Sequence, residues 1–142
     1  MPIAQILSGP FALLCALLCA LLSTPPALAA PPGDAARGHA WLLDRQASGC
    51  ILCHVLPGLP PGGALGPPLV GLAQRYTSDE LRLRIVDARR YNPDTIMPPY
   101  LSTEGLHNVA RAQAGKTVLS EQALDDIVAY LLAVPAAGNG SR

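Results

Sequence analysis

The order of apolar and polar residues along the chain predicts three helices and no strand. Apolar residues recur at spacings of three and four within residues 34–47, 77–90 and 119–134, so each segment has one apolar face. The third segment has the strongest pattern, and its apolar face comprises Leu124, Ile127, Val128, Leu131 and Leu132. Because no segment shows convincing alternation with the period of two typical of a strand, the pattern favours an all-α fold.

A capping residue stands at the start of each predicted helix. Asp34 and Ser120 carry side-chain oxygens suited to accept hydrogen bonds from the first turn of a helix. Thr77 and Glu80 have the spacing of a capping box, in which each side chain accepts a hydrogen bond from the other residue's backbone.

The expected ends of the helices are residues that do not continue one. We expect the first helix to stop at Gly49, the second at Asn92-Pro93 and the third at Pro135. Residues 101–117 are ambiguous, and a short helix over 106–113, ended by Gly115, is one interpretation.

A segment rich in proline and glycine follows the first predicted helix. Residues 57–68 contain five prolines and four glycines, a composition that excludes a helix or a central strand. We expect an ordered, rigid loop rather than a linker, because the residues just before it carry the candidate chemistry and must be held in place. Residues 91–100 are also predicted to be a loop.

The beginning of the chain has the features of a secretory signal. No charged side chain precedes Asp34, and residues 11–22 are almost wholly apolar. The sequence Ala27-Leu28-Ala29 is typical of a small-residue cleavage site. A retained membrane helix is the alternative, but it needs about 20 apolar residues, and Pro25-Pro26 cuts the run short. We therefore predict a signal peptide at 1–29 and an exported domain at 30–142 without a membrane span.

Composition narrows the function further. Ten basic and ten acidic residues give no net charge, which argues against a nucleic-acid-binding protein. The one phenylalanine, Phe11, lies in the predicted signal, which leaves Trp41 and four tyrosines for the mature domain. Such a small domain would struggle to build a core from so few large side chains, so we expect a non-protein group to complete it.

The chemistry of the mature domain is concentrated in Cys50, Cys53 and His54. Three kinds of site are compatible with a Cys-x-x-Cys-His segment: a redox dithiol, half of a zinc site and a covalent haem attachment site. A redox dithiol usually follows a strand, and none is predicted here. A zinc site needs two more ligands, whereas the remaining histidines, His39 and His107, are far apart in the sequence. Haem attachment fits directly.

A haem iron of this kind often takes a second axial ligand, commonly a methionine sulfur. Met97 is the only methionine left after Met1, and it lies 43 residues beyond His54 in a stiff Ile-Met-Pro-Pro loop. It is therefore our candidate, with His39 and His107 as rivals. The proximal histidine also needs a partner that fixes its ring, and a backbone carbonyl of the loop at 65–69 could supply one.

Three longer segments resemble the SoxX-type monohaem cytochromes of bacterial sulfur oxidation, which belong to class I cytochrome c. They are GPPLVGLAQRY (66–76), IVDARRYNPDTIMPPY (85–100) and AGKTVLSEQALDDIVAYL (114–131). The resemblance implies the cytochrome c fold, with the first and last helices crossing near Gly38, Trp41 and Tyr130. It also implies one covalent haem c on Cys50 and Cys53, iron ligation by His54 and Met97, and a contact from Pro67 to His54.

The same resemblance implies a role. SoxX-type proteins work in the periplasm as a heterodimer with a SoxA-type cytochrome, and the pair couples thiosulfate to a cysteine of the SoxYZ carrier. The chain would be the electron-transfer subunit of that enzyme, an L-cysteine S-thiosulfotransferase, without a catalytic residue of its own, and would pass electrons to a small cytochrome c. The alternatives are a free-standing cytochrome shuttle to a terminal oxidase and a non-haem redox or zinc module.

Four arginines lie close together in the sequence, on and after the second predicted helix. Arg82, Arg84, Arg89 and Arg90 could dock a partner or steer an anionic protein, but a solvated helix face is the simpler interpretation. The sequence assigns them no site.

Overall fold

The computed structural model describes residues 31–136, and within this range it contains helices and 3₁₀ turns but no strand. The helices are α1 (Ala35–Leu43), α2 (Cys50–Cys53), α3 (Ser78–Val86) and α4 (Glu121–Ala133), with 3₁₀ turns at Leu72–Gln74, Ala88–Arg90 and Arg111–Gln113. The all-α prediction is confirmed. The predicted signal peptide lies outside the described residues.

The first and last of the long helices, α1 and α4, cross at close range. Gly38 is buried at the crossing, where a Cβ atom would overlap the carbonyl oxygen of Asp126 and lie 2.9 Å from the Cβ of Tyr130. Only glycine lets the two backbones approach this closely. The predicted crossing near Gly38 and Tyr130 is therefore present.

An ion pair reinforces the same crossing. The carboxylate of Asp126 in α4 is almost fully buried, and the guanidinium of Arg37 in α1 donates two hydrogen bonds to it, at 2.8 Å from Nε and 2.7 Å from Nη2. The backbone N–H of Asp34 donates a third at 2.8 Å. Because the carboxylate is well satisfied, its burial costs little and fixes α1 against α4.

The predicted capping residues are confirmed at all three long helices. The side chain of Asp34 accepts a hydrogen bond from the N–H of Arg37, and that of Ser120 accepts one from the N–H of Ala123. At α3, the capping box of Thr77 and Glu80 is complete. Local hydrogen bonding therefore sets where these helices begin.

Two predicted helix ends were wrong, and for the same reason. Helix α1 stops at Leu43 instead of Gly49. The carboxylate of Asp44 accepts hydrogen bonds from the backbone N–H groups of Gln46 and Ala47, both at 2.9 Å. Helix α3 stops at Val86, because the Asp87 carboxylate likewise bonds the N–H of Arg89 at 3.1 Å. An aspartate that bonds the backbone just ahead of it competes with the helix. Gly49, with φ of 65°, is instead the N-cap of α2.

The ambiguous segment forms no α-helix, only the 3₁₀ turn at Arg111–Gln113. Every residue from 103 to 118 is exposed. Without a face to bury, a short helix here would gain little from packing.

The core lies between α4 and the elements packed on it, which are α1, α3 and the 3₁₀ turn at Leu72–Gln74. It is built chiefly from aliphatic side chains, among them Leu42, Ile51, Leu72, Leu81, Ile85, Leu124, Ile127 and Leu131. Trp41 packs against the edge of this cluster. Among the residues described, no helix is long and apolar enough to cross a membrane.

Candidate functional site

The Cys-x-x-Cys-His segment forms a single helical turn that ends at its histidine. Cys50 and Cys53 are the first and last residues of α2. Both are half-buried and neither is in a disulfide. His54 follows in an extended conformation, with φ of −110° and ψ of 146°, so the chain leaves the helix there.

The loop at 57–68 is ordered against this turn by backbone hydrogen bonds. The N–H of Gly63 donates to the carbonyl of Ile51 at 3.1 Å, and the N–H of Gly66 donates to that of Cys53 at 2.8 Å. Just beyond the loop, Leu69 donates to Val55 at 2.9 Å. The loop is therefore ordered against α2, as its position after the Cys-x-x-Cys-His segment led us to expect.

The imidazole of His54 is held on two sides by this loop. Its Nδ1 lies 2.7 Å from the carbonyl oxygen of Pro67, which can only accept, so Nδ1 carries the proton and donates. Gly66 lies flat against the ring, because a Cβ there would be 2.6 Å from Nδ1 and 2.8 Å from Nε2. The hydrogen bond to Pro67 fixes the tautomer in which Nε2 has a free lone pair, as a metal-ligating histidine requires.

A mainly apolar cavity of about 540 Å³ opens next to these residues. Cys50, Cys53 and His54 line it, as does Met97 from the loop at 91–100. Aliphatic side chains supply much of the remaining wall, notably Leu42, Leu72, Leu81, Ile85, Ile127 and Leu131. Two thiols, an imidazole and a thioether on the wall of an apolar cavity are the donor set and surroundings that suit a covalent haem.

The rival histidines lie elsewhere. The ring of His39 in α1 packs at a tilt of 57° against that of Tyr130, with the ring centres 5.3 Å apart, and His107 is in the exposed segment after residue 102. Neither lines the cavity. Met97 is half-buried against the core, and its backbone N–H donates to the Thr95 hydroxyl at 3.2 Å.

Tyr100 is a site residue that sequence reasoning missed. Its buried hydroxyl donates to the carbonyl of Ser48 at 2.8 Å and lies 3.9 Å from the Cys50 Sγ. Its own carbonyl accepts hydrogen bonds from the N–H groups of Val118 and Leu119. Tyr100 therefore ties the methionine loop to the residues before Cys50. Its position three residues after Met97, in a chain with few aromatics, was the signal that could have found it.

The two non-haem interpretations find little support in the geometry. Burial raises the pKa of the Cys50 thiol, whereas a redox dithiol needs a lowered pKa to form its thiolate. Across residues 31–136, no three His, Cys, Asp or Glu side chains lie together as a protein-bound metal ion would need.

Three of the four arginines, Arg82, Arg84 and Arg89, have different environments. Arg82 pairs with Glu121 and Asp125 of α4, and Arg89 pairs with Asp87 beside it. Arg84 lines the cavity. These three environments could not be separated from the sequence, because each depends on a partner brought in by the fold.

The comparisons with known proteins identify the family of the chain. The family model for cytochrome c matches residues 35–135, which span α1 to the end of α4. The chain belongs to the cytochrome c family. Its cofactor is haem c, held covalently, and the Cys-x-x-Cys-His segment has the spacing that such attachment requires.

A solved structure narrows the type of cytochrome. The chain is similar to SoxXA from P. pantotrophus, with 26% sequence identity and a TM-score of 0.64 over 77% of this chain and 87% of that one. The predicted resemblance of this monohaem cytochrome to the SoxX type is confirmed by this match. No curated protein sequence matches the chain.

Proposed function

We propose that this cytochrome attaches one haem through Cys50 and Cys53 and ligates its iron with His54 and Met97. The observation that carries the proposal is the shared cavity, since all four side chains line it and the rival histidines do not. Pro67 acts on the iron indirectly, because its carbonyl orients the imidazole and makes the ring a stronger donor.

This ligand set favours electron transfer over catalysis at the iron. The haem would supply a one-electron couple, and a thioether ligand in addition to an imidazole would raise its reduction potential. With His54 and Met97 both bound to the iron, the protein would leave no ligand position for a substrate. The wall of the cavity is mainly apolar, and such surroundings would tune the reduction potential of a bound haem.

The physiological role we propose is that of the electron-transfer subunit in thiosulfate oxidation. The chain would pair with a SoxA-type cytochrome, whose complex couples thiosulfate to a cysteine of the SoxYZ carrier, and would pass electrons to a small cytochrome c. The similarity to SoxXA supports this assignment. Export to the periplasm by a signal peptide at 1–29, leaving a domain at 30–142, completes the proposal.

The ligand assignment is tested by changing Met97 to Ala. The ferric protein should lose its sulfur-to-iron charge-transfer band and its low-spin spectrum, because the other methionine of the chain, Met1, belongs to the predicted signal peptide. His39→Ala and His107→Ala, the matched changes at the rival ligands, should leave both features intact. An unchanged spectrum in Met97→Ala would remove this residue from the site.

The partner assignment needs a separate experiment. Affinity purification of the tagged cytochrome from cells grown on thiosulfate should recover a second haem-staining protein of the SoxA type. Recovery of the cytochrome alone, as a monomer, would favour the free-standing shuttle.

A further inference from the structure

Arg84 contains a buried polar atom that the described part of the chain does not satisfy. The residue lies in the last turn of α3, and its side chain lines the cavity. Its Nε is buried without any hydrogen-bond partner in the structure. A buried charged donor without a partner costs more than a neutral one, so folded proteins rarely retain it.

Two tyrosines hold the guanidinium of Arg84 in place. It lies 4.6 Å from the ring centre of Tyr76 and 4.2 Å from that of Tyr91. Such contacts orient the planar group and stabilise a cation, but an aromatic face accepts no strong hydrogen bond from Nε. The side chain is therefore positioned in advance while its donor remains open.

The acidic residue best placed to neutralise Arg84 is engaged elsewhere. Glu80 lies one helical turn earlier, but its carboxylate accepts hydrogen bonds from the N–H and hydroxyl of Thr77 at 2.8 and 3.0 Å. By contrast, Arg82 and Arg89 both have carboxylate partners from the protein. Among these neighbours, Arg84 alone faces the cavity with its Nε unsatisfied.

We propose that Arg84 binds a carboxylate of the tetrapyrrole, namely a propionate group of the haem. The proposal rests on the haem site proposed above. A guanidinium presents a rigid fork that matches a carboxylate, and a buried Nε–H is the donor that such a pair would satisfy. Arg75, which also lies against Tyr76, with 5.8 Å to the ring centre, adds a second positive charge to the cavity wall.

A pair between Arg84 and a haem propionate would change the reduction potential of the haem. A cation near the haem disfavours its oxidised form, which carries one more positive charge than the reduced form. Arg84 would therefore raise the reduction potential, both directly and by neutralising the propionate.

The decisive experiment is a crystal structure of the wild-type holoprotein. We expect a haem carboxylate oxygen within hydrogen-bond distance of the Arg84 Nε. A structure in which Nε contacts only water or protein atoms would overturn the proposal. Haem staining of the same protein on a denaturing gel distinguishes failure of the Arg84 proposal from failure of the proposed function. If no covalent haem is present, the proposed function fails as well.

Variants of Arg84 test the expected effect on the reduction potential. Arg84→Gln should lower the midpoint potential at fixed pH without loss of haem stain, and Arg84→Lys, which keeps the charge, should shift it less. Arg82→Gln removes the same charge from the same helix outside the cavity, so its potential should stay near that of the wild type. Equal shifts in Arg84→Gln and Arg82→Gln would contradict a specific pair. If Arg84→Gln does not retain haem, the wild-type structure still decides.

Discussion

The imidazole of His54 is confined by two neighbours that act in different ways. The carbonyl of Pro67 sets its tautomer through a hydrogen bond of 2.7 Å, and the missing side chain of Gly66 leaves room for its ring. The carbonyl belongs to the backbone, so substitutions at Pro67 preserve it. The space belongs to glycine alone, which makes Gly66 the more sensitive of the two positions.

We therefore predict that Gly66→Ala displaces the His54 ring. The new Cβ would overlap the imidazole, so the ferric absorption spectrum and the midpoint potential should both change, or the yield of haem-loaded protein should fall. Pro67→Ala, which keeps the carbonyl, is the matched control and should retain the wild-type spectrum. Wild-type behaviour of Gly66→Ala would show that the ring does not need this space.

The hydroxyl of Tyr100 offers a second test at a single atom. Tyr100→Phe removes its hydrogen bond and leaves the buried carbonyl of Ser48 unsatisfied, which costs about 1–3 kcal/mol. Urea denaturation of the holoprotein, followed by far-UV circular dichroism, should give a lower midpoint. Tyr91→Phe, at a residue that is 48% exposed, should change it little. Equal midpoints for both variants would show that the Tyr100 bond contributes nothing.

The packing of α1 on α4 depends on a glycine at the point of closest approach. Gly38→Ala raises helix propensity by about 1 kcal/mol, but its Cβ would overlap the backbone of Asp126. Overpacking typically costs about 1–3 kcal/mol, and contact with backbone leaves little room to relax. We expect net destabilisation in urea denaturation, whereas Ala36→Ser on the exposed face of α1 should have a small effect. A stabilised Gly38→Ala would show that the helices can separate without cost.

The ion pair at the same crossing makes stability depend on pH. Hydrogen bonds from Arg37 hold the pKa of the buried Asp126 carboxyl at about 2, below its unfolded value of about 3.9. Its contribution is therefore complete above about pH 4 and is lost as the pH falls through about 2. Asp126→Asn should lower the free energy of unfolding at pH 7 and flatten its decline between pH 4 and 2. An unaltered acid profile would show that another carboxyl controls it.

The starts of the helices were predictable, because their capping residues act on the adjacent backbone. Asp34, Thr77 and Ser120 mark helix starts with side chains that bond their own first turn, so the sequence alone identifies them. The ends at Asp44 and Asp87 were missed, although each also bonds its local backbone. Whether an aspartate inside an apolar pattern ends a helix depends on how the residues after it pack, and periodicity does not contain that information.

The site divides in the same way. The donors that we propose belong to one short motif and one methionine, so the sequence alone was enough to nominate them. The sequence did not assign Tyr100, because its hydrogen-bond partner, Ser48, lies 52 residues away. It did not assign Arg84, because the cavity that this residue lines exists only in the folded chain. Long-range partners of this kind need the fold before they can be recognised.

The part of the chain that the structure describes contains, beside its core, a mainly apolar cavity of about 540 Å³. Buried residues from α1, α3 and α4, including Leu42, Ile85 and Ile127, line that cavity as well as the core. Without haem, these side chains would face water or collapse inward, and the loops at 57–68 and 91–100, which contribute residues to the cavity wall, would lose a packing partner. The cofactor is therefore expected to be part of the hydrophobic core.

The chain without haem should therefore not fold cooperatively. We predict that a Cys50→Ala, Cys53→Ala double variant, purified without bound haem, has reduced helical circular dichroism and no sigmoidal urea transition, while the wild-type holoprotein has both. Wild-type protein made in a host that lacks cytochrome c maturation is the control, because it keeps both cysteines and should behave like the double variant. If either colourless protein unfolds cooperatively at the midpoint of the holoprotein, the aliphatic core alone is enough for cooperative folding. The scarcity of aromatic residues would then have no structural consequence.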